Sequence, residues 1–172
     1  MSEERKSNDY SLKFEIQNIL IMQTLHFEIE INSSVTQVYD AMLGISKSTY
    51  EQWTSKFNPT STYNGNWNQG SKIHFLGTNE QGDIGGMVSE IVENIPNRFV
   101  SIKHYGLLAG NNEITEGPEV EKWAGGFENY TFIGNENQTT VRVDVDTNED
   151  FKDYMNNTFP KALEELKRSC EG

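Results

Sequence analysis

The sequence predicts an α+β fold: a curved, seven-stranded antiparallel sheet wrapped around a long C-terminal helix, with two short helices after the first strand. Three observations carry this expectation. Most of residues 25–146 fall into short runs that alternate apolar and polar side chains, the period of half-buried strands. Residues 150–170 instead place Phe151, Met155, Phe159, Ala162 and Leu166 at the spacing of one helical face. Two short helical patterns interrupt the strand order once, just after its first strand.

The elements follow in order. Leu25, Phe27, Ile29 and Ile31 alternate with His26, Glu28 and Glu30, a strand with one wet face. Ser33 or Ser34 can cap a helix that carries Val35, Val38, Tyr39 and Met42, and Gly44 closes it. A second short helix over 48–57 carries Tyr50, Trp53 and Phe57. Residues 61–67 and 71–76 read as strands paired about Asn68-Gln69-Gly70, and 77–86 as a loop. Residues 87–95 and 99–105 are strands turned at Pro96-Asn97. Residues 106–126 form a long polar loop, of a length that suits a mobile lid. Residues 127–133 and 139–146 make the last hairpin. Pro160 removes one backbone donor from the final helix. Either that helix bends there, or a new one starts near Thr158. The apolar stripe keeps its phase across the proline, which favours one bent helix.

An antiparallel sheet with one wet face must cover the other, and the terminal helix is the one long amphipathic element available. The length, 172 residues, suits a single domain with a real core. The net charge of −12, from 26 acidic and 14 basic residues, argues against a nucleic-acid or anionic-membrane surface, which needs clustered Lys and Arg. The acidity reads as solubility. Cys170 is the single cysteine, so no internal disulfide can form, and nothing around it suggests catalysis; it sits at a helix end expected to fray. The polar start MSEERKSNDY lacks a signal-peptide pattern, and no apolar run is long enough to span a bilayer. A cytoplasmic location is the expectation.

Several motifs have a plain structural explanation. Asp144, Asp146 and Asn148 mimic the start of a calcium loop, but Glu149 stands where its glycine belongs and Met155 where its last carboxylate belongs. The run reads as a wet strand face leading into a helix N-terminus. His26, His74 and His104 share no metal-ligand spacing, and read as strand residues with ordinary partners. Glu90 and Lys103 are charged strand residues expected to face solvent. No metal and no cofactor is expected.

Taken together, these segments resemble the SRPBCC superfamily, the START-like helix-grip fold. LHFEIEINSSVTQVYDAML is similar to its opening strand and first helix, and YEQWTSKFNP to its second helix. GSKIHFLG, GGMVSEIVENIPNRFVSIKHYG and WAGGFENYTF resemble its central strands. TTVRVDVDTNEDFKDYMNNTFPKALEELK resembles its last strand and long helix. The most similar branch is that of homologues of the activator of the heat-shock-protein-90 ATPase, although Phe159 stands where that pattern has a tryptophan. The resemblance implies a domain over 23–172 with residues 1–22 as an extension. It also implies a hydrophobic small molecule held between helix and sheet, or, from the branch name, a chaperone or another protein as partner. Some members of the superfamily are cyclases.

The residues themselves point to a cavity. The terminal helix offers bulky Phe151, Tyr154 and Phe159 rather than small residues that would let it pack closely, and Pro160 stops it from sealing the whole sheet. Trp53 and Trp123 come from segments placed to cap the open end. Phe75 and Phe132 complete an aromatic lining, and Tyr105 and Tyr130 could fix a ligand's polar group through their hydroxyls. The expected function is therefore non-catalytic binding of a small hydrophobic molecule. The alternatives are a co-chaperone-like interaction module and a cyclase- or aromatase-type enzyme. A filled core with an exposed apolar patch would favour the module. An acid/base pair facing the cavity would favour the enzyme.

Overall fold

The computed structural model describes residues 22–172. Expectations for the preceding extension fall on residues 1–21, outside the described residues. Strand β1 (Gln23–Ile31) leads into helices α1 (Val35–Leu43) and α2 (Thr49–Thr54). Strands β2 (Thr62–Gly65), β3 (Lys72–Thr78), β4 (Ile84–Ile95), β5 (Phe99–Ala109) and β6 (Asn112–Ile114) follow, then the single-turn helix α3 (Pro118–Glu121). Strands β7 (Gly126–Gly134) and β8 (Thr139–Thr147) precede the long helix α4 (Glu149–Glu171). The strands form one antiparallel sheet in the order β1-β8-β7-β5-β4-β3-β2, and β6 pairs with the far end of β5. This is the expected α+β helix-grip architecture, with the three-residue β6 added to the seven strands.

The unit α1–α2 is welded by its own side chains. Ser34 caps α1 by accepting a hydrogen bond from the Gln37 amide at 3.2 Å. At the other end, three carbonyls lack helical partners. The Thr49 hydroxyl donates to Ala41 O at 2.6 Å, the Trp53 indole to Met42 O at 2.9 Å and the Trp67 indole to Leu43 O at 3.0 Å. Gly44 sits between the helices at φ 67°, and a Cβ there would lie 2.7 Å from Tyr50 Cβ. Only glycine allows both the left-handed turn and the close approach.

Helix α4 starts at Asn148, whose side chain accepts a hydrogen bond from the Phe151 amide at 3.2 Å. It then runs unbroken through Pro160, whose side chain faces solvent. A separate helix from Thr158 is therefore ruled out. Phe159, Ala162, Leu163 and Leu166 are buried against the sheet and the short helices. The concave face of the sheet supplies Val141, Val143 and Val145, and β1 supplies Ile31.

The segment 106–126 departs from the expected loop. It extends β5, turns back as β6, and ends in α3, which buries Val120. It lies against the convex face. A Cβ on Gly106 would sit 3.1 Å from Val88 Cβ and 3.2 Å from Thr115 Cγ2. Val88 points away from the concave face, between Met87 and Ser89, and is fully buried there. This segment is a cover for the back of the sheet, not a lid. The expected loop at 77–86 is also shorter, because β3 runs to Thr78 and β4 starts at Ile84.

Candidate functional site

Between α4 and the concave sheet lies a cavity of about 510 Å³. Its floor is Phe75 and Leu76 from β3, Gly85, Gly86 and Met87 from β4, and Glu128 and Tyr130 from β7. Tyr50, Trp53 and Thr54 of α2 close the inner end. Phe57, Tyr154, Met155 and Phe159 form the roof. Asn58, Asn79, Asp83 and Ile84 stand at the mouth, beside the β3–β4 turn. The rings interlock: Phe159 stacks on Phe27 at 4.9 Å and meets Phe57 edge-on at 4.8 Å. At the inner end Tyr50 meets Tyr63 edge-on at 5.0 Å. Gly86 thins the wall between β3 and β4. At its φ of +153°, a Cβ would lie 1.9 Å from Phe75 O, so no side chain fits there.

One polar network crosses the aromatic floor. Glu128 is largely buried and lines the cavity. The Tyr130 hydroxyl donates to its Oε1 at 2.5 Å, and His104 Nε2 lies 3.0 Å from its Oε2. On the far side of the ring, His104 Nδ1 lies 2.6 Å from Ser89 Oγ. Ser89 is fully buried, and Nδ1 is the hydrogen-bond partner of its hydroxyl among the described residues. Counting donors assigns the proton. The hydroxyl donates to Nδ1, the imidazole carries its hydrogen on Nε2, and that hydrogen goes to Glu128. The carboxylate thus accepts from a phenol and an imidazole. Burial holds the Tyr50 and Tyr130 phenols well above the usual tyrosine range, with the Glu128 charge acting in the same direction.

Of the nine residues named from sequence, Trp53, Phe75, Tyr130, Tyr154 and Phe159 line the cavity. The other four do not. Phe151 is in the first turn of α4 and 51% exposed, facing solvent. Tyr105 is the unpaired residue at the register shift between β4 and β5, and lies near Lys72 outside the cavity. Phe132 is buried at the other end of the core, edge-on to Tyr39 at 5.4 Å. Trp123 is half-buried at the end of α3, on the covering segment.

The histidines and acidic motif also find places. His26 pairs with Asp144 on the wet face, and His74 with Glu113, which also takes the Lys72 ammonium. These donors hold the Glu113 carboxyl below its ordinary range. Asp146 accepts from the Phe127 amide at 2.9 Å, and Asn148 is the α4 cap. Glu90 and Lys103 are cross-strand neighbours on the convex face. No group of residues suited to hold a metal occurs among the described residues. No helix among them is long and apolar enough to cross a membrane.

This architecture defines the START-like helix-grip fold of the SRPBCC superfamily. Within that fold, the chain is similar to a solved activator-type structure. The chain is similar to the solution structure of the Aha1 dimer from Colwellia psychrerythraea, with 25% identity and a TM-score of 0.59, covering 87% of this chain and 96% of that one. It is similar to ChR145 from Cytophaga hutchinsonii, with 15% identity and a TM-score of 0.63, over 87% and 94% of the two chains. CalU16 from Micromonospora echinospora matches with 13% identity and a TM-score of 0.56, over 86% and 75%. No protein-family model and no curated protein sequence matches the chain.

Proposed function

We propose that this protein binds a small, mostly hydrophobic molecule in the cavity between α4 and the sheet, in the cytoplasm and without catalysing a reaction. The observation that carries this reading is the cavity itself: about 510 Å³, walled by aromatic rings, with few polar groups set among them. That size and lining suit a ligand of drug-like dimensions. It also weighs against a pure interaction module, whose core would be filled.

Titration with a hydrophobic fluorescent probe tests the proposal. Saturable binding is expected, and Met87→Trp, which adds bulk on the cavity floor, should remove it while the variant still melts cooperatively. Absence of saturable binding by the unaltered protein would overturn the reading.

The Glu128–His104–Ser89 chain favours a second reading, an enzyme that moves a proton at the cavity wall. Turnover of a bound compound, lost in His104→Gln with binding retained, would put that reading ahead.

A further inference from the structure

The cavity is one-sided in charge as well as apolar. Its ionisable lining groups outside the tyrosines are Glu128 in the floor and Asp83 at the mouth, and no lysine, arginine or histidine among the described residues lines it. We infer that its occupant is an organic cation, a protonated or quaternary amine on an apolar body, with the charge held between the Glu128 carboxylate and the surrounding ring faces. This rests on the ligand-binding reading above and narrows it to a class of ligand.

Three features support the inference. First, among the described residues Glu128 has no lysine or arginine partner. The groups that reach it are the Tyr130 phenol and the His104 imidazole, the latter also bonded to Ser89. A buried charge without a counter-ion is costly, and a cationic guest would supply one. Secondly, the rings of Tyr50, Trp53, Phe75 and Tyr130 line the same space as that carboxylate. Aromatic faces attract cations, more strongly where water is displaced. Thirdly, the whole chain carries −12, and its field draws cations toward a mouth that displays Asp83. An anion would meet repulsion at the mouth and again at the floor. A neutral guest would gain the apolar contacts alone.

The test compares three probes with one naphthylmethyl body, carrying a trimethylammonium group, its neutral tert-butyl isostere, or a carboxylate. Calorimetric titration of the full chain should show the ammonium probe binding at least about tenfold more tightly than the neutral one, the carboxylate weakest. Glu128→Gln should bring the ammonium and neutral probes to within about twofold of each other. Asp83→Asn, at the exposed mouth, should cost the ammonium probe less. If the neutral probe binds as well as the ammonium probe, this inference falls and the hydrophobic-ligand reading stands. If none of the three binds, the ligand-binding reading itself falls, and this one with it. The comparison in the unaltered protein decides even if Glu128→Gln fails to fold.

Discussion

The two halves of α4 rest on the same sheet and meet it differently. From Thr158 to Leu166 the inward residues are buried, and Ala162 lets the helix come close to its neighbours. From Phe151 to Met155 the side chains are exposed or half-buried, and Tyr154 and Met155 roof an open space. Tyr154 is tied across that space by its hydroxyl, which donates to Phe57 O at 2.8 Å. Both halves carry the same apolar stripe. Helical periodicity therefore tells which face turns inward, but not whether anything fills the space beneath it. That depends on what the sheet presents: valines and isoleucine under the second half, a glycine-thinned wall and a carboxylate under the first.

The sharpest way to break this comparison is to truncate both halves. Leu166 is fully buried, and Leu166→Ala should cost about 2–5 kcal/mol in urea melts, the range for a core truncation that leaves a void. Met155→Ala enlarges a space that is already open, and should cost about 1 kcal/mol or less. Equal costs would mean that the two halves are packed alike.

Next in size is the thiol at the solid end. Cys170 packs against the core, and burial pushes its thiol up from the ordinary 9.0 to about 11. At pH 8 this leaves about 100-fold less thiolate than an unperturbed cysteine has, and alkylation by iodoacetamide should slow in proportion. The rate should climb with pH until the thiol titrates near 11. Alkylation at the rate of a free thiol would show that the last turn of α4 frays, as its position at the chain end first suggested.

The two ends differ in how readable they were. The sheet, the two-helix unit and the long helix are legible because periods of 2 and 3.6 residues are local properties of the chain. Five of the named aromatics line the cavity for the same reason: they sit at inward positions of these elements. The polar floor escaped notice although a signal was present. Glu128 stands two residues before Tyr130 on one strand, so an inward Tyr130 requires an inward Glu128. On β5 the alternation breaks at Tyr105, the unpaired residue of a register shift, so parity could not place it. The path of 106–126 over the convex face left no such trace. It depends on a register shift between β4 and β5 and on the small Gly106, features that act only once the strands pair.

Tyr130→Phe probes the hollow end with a smaller expected effect. The ring is kept and one hydrogen bond to a carboxylate is lost. The cost should be about 1.5 kcal/mol, at the low end for bonds to charged groups, because water in the cavity can replace the hydroxyl. A much larger loss would mean that the site is dry and the network closed.

The smallest effect should come from Phe151, and it makes the most direct use of the comparison. Phe151 and Phe159 are identical side chains on one helical stripe, two turns apart. Phe159 is buried, stacked on Phe27, and part of the cavity roof. Phe151 is 51% exposed and outside that roof. Its backbone amide helps to hold the Asn148 cap, and alanine keeps that bond while raising helix propensity. Phe151→Ala should therefore shift stability by no more than about 0.5 kcal/mol and leave probe binding unchanged. Phe159→Ala should cost about 3 kcal/mol and weaken probe binding. If Phe151→Ala instead loses binding without loss of stability, the ring closes over the mouth when a ligand is bound, and the first turn of α4 belongs to the site after all.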